Sequence, residues 1–299
     1  MPAMPEPVDW LASYARVQRL ADREVLATLR QAVQEINKDL AWLRTQTNFS
    51  SAVRMQQFQQ TRRALLREMA TVFRRTGDVI EARRLEAASR AVKLGNAVDM
   101  ALFSTAGRAG VAVATQLGEA LLATQEHTLE VAMSRMGMSR VPLSQRVYNN
   151  SVALGGQLDR KINAALARGL SAREFADEVA DFISPNTAGG IRYASMRLAR
   201  TEINNAFHAM SAANMAEKPW VLGSKWNLSS SHPKADQCDR LAKDESDGMG
   251  AGVYKTAHIP SKPHPQCLCY VTPEVEPDDV FLDHLVSGRY DEYLRSKTR

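Results

Sequence analysis

Apolar residues recur every three or four positions along the first part of the chain. Val25, Leu29, Val33, Ile36, Leu40 and Leu43 step by 4, 4, 3, 4 and 3, a near-heptad stripe on one helix face. The spacing predicts a helix from Trp10 to about Thr47, with Asp9 as N-cap, running about 57 Å at about 1.5 Å per residue. Thr47-Asn48-Phe49-Ser50 interrupts the stripe. Met55, Phe58, Leu65, Met69 and Val72 then mark the buried face of a second helix. Gly77-Asp78 reads as a turn, followed by a third helix from about Val79 to Lys93 and further helices through Met136. Gly137 and Pro142 close that set. No proline stands between Pro7 and Pro142, and no glycine precedes Gly77. Such a run, rich in Ala, Leu, Arg and Gln, favours long helices. The expectation is an elongated antiparallel helical array, whose stripes fit an intramolecular core or an oligomer seam. The most apolar stretch, Ala97 to Thr124, is broken by Asp99, Arg108 and Glu119. It reads as buried helix, not as a membrane span.

The pattern changes toward the C-terminus. Ala188 to Ala216 is helical by period, with Ile191, Met196, Ala199, Ile203, Ala206, Phe207 and Met210 on its apolar face. Pro260, Pro263 and Pro265 then forbid helix and hold the chain extended, leading into a short strand from Leu268 to Thr272. The fold class expected is mainly α with a small α+β C-terminal module. Three regions follow: a helical region over 1–145, an α+β module over 146–273, and an acidic amphipathic tail over 274–299. The tail segment Val280 to Leu294 carries Phe281, Leu282, Leu285, Val286, Tyr290, Tyr293 and Leu294. It fits docking on a partner or folding back on its own chain.

Composition sharpens this picture modestly. A hydrophobic content of 44% suits a chain with a core, and a net charge of +5 with pI near 9.2 points mildly to an anionic partner. Only three cysteines fit a reducing compartment. Met1-Pro-Ala-Met-Pro-Glu-Pro7 lacks the layout of a signal peptide. Positive charge concentrates in arginines: Arg54, Arg62, Arg63, Arg67, Arg74, Arg75, Arg83 and Arg84. Arginine suits phosphate, so these are candidates for facing a DNA backbone, against the plainer reading of a solvated helix face. Only Phe58 and Phe73 interleave with them, so contact would be to the backbone and without sequence preference.

The chemistry-bearing residues cluster late. All three cysteines and three of the six histidines fall between His232 and Cys269. Cys267 and Cys269 share one face of an extended chain, with His264 just upstream. Cys238 and His232 supply further donors. Two thiolates beside an imidazole suit a soft borderline cation, and zinc is the candidate. Free or hydrogen-bonded structural thiols are the alternative. A disulfide would leave one cysteine over. A thiol nucleophile is a third reading, Cys238 with His232 or His264 as base. No phosphate-binding loop with lysine and no GxSxG elbow is present. Gly248-Met-Gly-Ala-Gly252 reads as a connection. On the preceding helix, Arg197, Arg200, Thr201 and Glu202 form a charged group. With Trp226 they are candidates for a buried network locking helix to sheet, or for a solvated face.

The order Arg200-Thr201-Glu202 on a helix, Lys225-Trp226, a cysteine-containing turn, then Pro263-His-Pro-Gln-Cys-Leu-Cys269 resembles the Mu F-like head morphogenesis (minor capsid) proteins of tailed bacteriophages. The stretch Ile162 to Ala176 is also similar: a helix, Gly169-Leu170-Ser171, then a second helix. The resemblance covers about 150 to 273 and lies in order and spacing. Ala235 stands where many relatives carry cysteine, and His232 is the available substitute. The resemblance implies a structural, non-enzymatic virion protein acting in capsid assembly at or near the portal vertex. Its partners would be the portal protein, the major capsid protein and the backbone of packaged double-stranded DNA, with no membrane. Its location would be the capsid interior or portal vertex, and the host cytoplasm during assembly, with an oligomeric state set by the assembly. A thiol- or metal-dependent enzyme module and a free non-specific nucleic-acid-binding protein are the rival classes.

Overall fold

The structure is a computed structural model describing residues 10–45, 51–108, 143–168, 170–183, 191–230, 232 and 235–297. Its helices are α1 (Trp10–Arg44), α2 (Ser51–Arg108), α3 (Leu143–Ala167), α4 (Ala172–Ile183), α5 (Ile191–Ala216), α6 (Gln237–Leu241), α7 (Asp278–Val286) and α8 (Asp291–Lys297). Its strands are β1 (Val221–Asn227), β2 (Val253–Lys255) and β3 (Tyr270–Val275). The chain is therefore mainly helical with a small antiparallel sheet near its C-terminal end. No described helix is long and apolar enough to cross a membrane.

The described residues form two compact units. One is made of 18–45, 51–82, 143–168, 170–183 and 191–202, the other of 10–17, 83–108, 203–230, 232 and 235–297. Neither is a continuous stretch of the sequence.

In the first unit, Val25, Leu29, Ala32 and Ile36 of α1 share a core with Leu65, Met69, Val72, Phe73 and Ile80 of α2. Leu154, Leu158 and Ile162 of α3, Phe175 and Val179 of α4, and Met196 and Ala199 of α5 complete it. The steps of three and four along each helix aim these side chains at one another. Of the expected stripe, Val33 is only partly buried, and the side chains of Leu40 and Leu43 lie outside the described residues, as does Asp9. The expected turn at Gly77-Asp78 does not occur, because α2 is continuous from Ser51 to Arg108. Glycine in a helix costs about 1 kcal/mol relative to alanine. Burial of Val72, Phe73, Thr76 and Ile80 around it outweighs that. Gly77 also faces Val147, whose Cγ2 lies 3.4 Å from where a Cβ would stand. Gly137 and Pro142 fall outside the described residues.

Between α3 and α4, Ser171 and Glu174 form a reciprocal cap. The Ser171 N–H donates to Glu174 Oε2 at 2.8 Å, and the Glu174 N–H donates to Ser171 Oγ at 3.3 Å. That exchange satisfies groups a helix start leaves open.

The second unit centres on the sheet, ordered β2-β1-β3. Gly223 pairs with Lys255 on one side, and Trp226 with Val271 on the other. A Cβ at Gly223 would stand 2.7 Å from the Tyr254 carbonyl oxygen, so β1 and β2 approach closely only because that position is glycine. Trp220 anchors the core, making edge contacts with Phe103, Phe281, Tyr290 and Tyr293. The C-terminal segment thus folds back on its own chain, with Phe281, Leu285 and Tyr290 buried. Beneath Trp220 lies a buried ion pair of Asp99 and Lys218, and the indole N–H donates to Asp99 Oδ1 at 2.8 Å.

Candidate metal centre

The cysteines converge from two places in the second unit. Cys238 sits in the first turn of α6, where Asp236 caps the helix by accepting from the Cys238 N–H at 2.6 Å. Asp239 answers by accepting from the Asp236 N–H at 2.7 Å. Cys267 and Cys269 lie on the extended approach to β3. Both are buried while Leu268 between them is partly exposed, the alternation a strand imposes.

The approach is held open from several sides. The Cys267 carbonyl accepts from Asn204 Nδ2 at 2.8 Å and from the Tyr14 hydroxyl at 3.4 Å. Lys262 Nζ lies 3.5 Å from the same oxygen and also donates to the Cys269 carbonyl. Just before Cys267, Gln266 takes a φ of 59°, a left-handed conformation costly for any residue with a Cβ.

The donor atoms group around Cys238. Its Sγ lies 3.5 Å from Cys267 Sγ and 3.3 Å from His264 Nε2. Cys269 Sγ lies 3.9 Å from His232 Nδ1. Cys238 is common to two sets, His232–Cys238–Cys269 and Cys238–His264–Cys267, each with its donors within 4.8 Å of one another. The cluster can hold a metal ion.

The two imidazoles are not equivalent. His232 Nε2 lies 2.8 Å from Asp239 Oδ2, so the ring is anchored on one nitrogen and offers Nδ1 to the thiols. That hydrogen bond also raises the pKa of His232. His264 is more exposed, and its Nε2 lies 3.0 Å from Asp236 Oδ2 as well as near Cys238. Asp239 is held below the usual carboxylate range by the Asp236 N–H first and by His232 second. Among the thiols, burial pushes Cys238 up to about 12. A hydrogen bond from Cys269, helped by the Lys262 charge, lowers Cys267. One thiol is thus biased toward the anion and its two neighbours toward the thiol form. A cation would favour the thiolate at all three.

The five residues read as candidate ligands are therefore brought to one place. The charged group on α5 is divided differently. Arg200 forms a two-pronged pair with Asp22 at 3.0 and 2.7 Å, and the buried Glu202 pairs with Arg146 at 2.5 Å. Thr201 Oγ1 donates one turn back to the Arg197 carbonyl at 2.6 Å, and Arg197 is exposed. These contacts lie in the first unit, whereas Trp226 is buried in the core of the second, its ring edge-on to His208.

Of the arginines on α2, Arg62 pairs with Asp159 at 2.5 and 2.9 Å, and Arg83 pairs with Glu86. Arg84 is partly buried, whereas Arg63, Arg67, Arg74 and Arg75 are exposed. The side chain of Arg54 lies outside the described residues.

Sequence reasoning passed over Tyr14, Asn204 and Lys262, which hold the cysteine loop, and Asp236 and Asp239, which hold α6 and His232. The capping pattern Asp236-x-x-Asp239 was a readable signal. Tyr14 carried none, because it lies 253 positions from Cys267. Comparison of the chain with protein-family models, with curated proteins and with solved structures finds no match.

Proposed function

We propose that this chain is a structural minor head protein of a tailed bacteriophage. It acts in capsid assembly at or near the portal vertex, with the portal protein, the major capsid protein or both as partners. The reading rests on the order and spacing of motifs along the sequence. One observation supports it within the second unit: Asn204, two residues after the Arg-Thr-Glu run, donates to the Cys267 carbonyl in the closing Cys-Leu-Cys segment at 2.8 Å.

The cluster fits a structural ion better than a catalytic one. Its cysteines are buried, and Cys238, Cys267, Cys269 and His232 offer four donors, the number a closed structural sphere takes, whereas a catalytic site keeps one position open. With Zn–S near 2.3 Å and Zn–N near 2.0 Å, tetrahedral geometry separates two thiolates by about 3.8 Å and a thiolate from an imidazole nitrogen by about 3.6 Å. The 3.5 Å between Cys238 and Cys267 is slightly under the first value, and the 3.9 Å between Cys269 and His232 is slightly over the second. Zinc is the ion proposed, on donor softness and geometry.

Contact with packaged DNA is a second element of the reading. Arg63, Arg67 and Arg74 are exposed and fall within about 40° of one another around α2 at 3.6 residues per turn. Such a stripe suits backbone phosphates.

The test is recovery of the tagged chain from infected cells, with co-purifying proteins identified by mass spectrometry and zinc measured in the same sample. Portal and major capsid proteins as main partners, with about one zinc per chain as for a single tetrahedral site, are expected. Absence of any capsid partner would remove the head-protein reading. Absence of zinc would remove the metal assignment alone.

A further inference from the structure

Lys262 is an unusual neighbour for a thiol cluster. Lysine ordinarily extends its ammonium into water. Here Nζ turns inward, donating to the Cys269 carbonyl and lying 3.5 Å from the Cys267 carbonyl. It lies 5.7 Å from the ring centre of Tyr14 and 5.9 Å from that of Trp226, both rings being buried. Two aromatic faces and two carbonyl oxygens form a cradle for one cation.

The charge of the centre explains why a cation should be there. Three thiolates, a neutral imidazole and a divalent ion sum to one negative charge. A net charge removed from water is costly unless it is compensated. The carboxylates of Asp236 and Asp239 stand at the more exposed rim, each beside a histidine, and add negative charge. Lys262 reaches the centre through the backbone, its carbonyl acceptors belonging to two of the ligands themselves.

We propose that Lys262 is the counter-cation of the metal centre, a positioning residue that offsets the one negative charge of a divalent ion held by Cys238, Cys267, Cys269 and His232. This rests on reading the cluster as a metal centre. By fixing the Cys267 and Cys269 carbonyls it also holds the two thiols on a common face. Within the coordination sphere itself, Lys262 matches the one negative charge of three thiolates around a divalent ion, whereas two thiolates and two histidines would need no counter-cation.

The experiment uses the purified full chain and compares wild type with Lys262→Gln and Lys262→Arg. Glutamine keeps a donor but removes the charge, and arginine keeps the charge. Zinc affinity is read by competition with a chromophoric chelator, and near-UV circular dichroism of the zinc-loaded proteins checks the fold. Cobalt(II) substitution reports the thiolate count through its sulfur-to-metal charge-transfer intensity.

Lys262→Gln is expected to lose about 10- to 100-fold in zinc affinity, the range for partners just outside a coordination sphere. Its cobalt band keeps three-thiolate intensity but shifts in energy. Lys262→Arg restores most of the affinity. Wild-type affinity in Lys262→Gln, or an Lys262→Arg variant as weak as Lys262→Gln, would overturn the counter-cation role while leaving the metal centre standing. A wild-type chain that binds neither zinc nor cobalt would overturn both.

Discussion

Removing the positive partner of the buried Asp99–Lys218 pair should be among the most costly single changes in the second unit. The two side chains are 1% and 2% exposed, so Lys218→Met strands a carboxylate with almost no access to water. Breaking a buried pair from one side costs about 3–5 kcal/mol. The retained Trp220 N–H bond to Asp99 Oδ1 at 2.8 Å offsets only part of this.

The loss has a pH signature. Burial already raises the pKa of Asp99, although the Lys218 charge opposes the shift. Without Lys218 the folded-state value rises further above the unfolded one. The folded state then binds the extra proton, and stability falls as pH rises from the unfolded pKa through the folded one. Lys218→Met should therefore lie closest to wild type near pH 4–5 and farthest from it near pH 8. Adding Asp99→Asn removes the stranded charge while keeping an acceptor for Trp220. The double variant should recover at least half of the loss, and its remaining deficit should lack the steep growth toward pH 8 that the single variant shows. Urea titration followed by tryptophan fluorescence at several pH values reads all of this. A Lys218→Met variant within about 1 kcal/mol of wild type at pH 8, or one whose deficit is the same at pH 5 and pH 8, would refute the reasoning.

Other positions make separate demands. Gln266 sits at φ 59°. Gln266→Gly should bind zinc like wild type, whereas the β-branched Gln266→Val should lose about 1–3 kcal/mol in urea titration. His208 is buried against the Pro260 carbonyl at 2.7 Å, and burial, with the Lys262 charge second, lowers its pKa to about 3. Its contribution is therefore complete above the unfolded value near 6.5 and is lost as pH falls toward 3. His208→Gln should narrow the stability difference between pH 7.5 and pH 5, and an unchanged difference would place acid sensitivity elsewhere. Phe281 is 1% exposed and contacts Phe103, Trp220 and Tyr290. Phe281→Ala should cost about 3–5 kcal/mol; a loss below 1 kcal/mol in thermal or urea unfolding would mean that α7 is not part of this core.

Periodicity alone determined much of this protein. The stripe along α1 from Val25 to Ile36, the face of α2 marked by Leu65, Met69 and Val72, and the apolar side of α5 were legible because helical spacing is a local property. The strand before the final tail was legible too, shifted from 268–272 to 270–275. So was the common face of Cys267 and Cys269, since alternation needs only an extended backbone.

Gly77-Asp78 misled because a local breaker signal is weak against burial of one face of a long helix, where Val72, Phe73, Thr76 and Ile80 pack. The tail could not be assigned from its own amphipathic pattern, which says that a face needs cover but not what covers it. Trp220, from another part of the chain, settled that.

The candidate site divides along the same line. The donor types and their clustering were visible in the sequence. Only the tertiary structure decided that His232 is anchored by Asp239, that Arg200 and Glu202 turn to Asp22 and Arg146, and that Lys262 binds the backbone of the cysteine segment. Those outcomes depend on where distant segments meet, and a charge finds its partner by distance through space, which spacing along the chain does not encode.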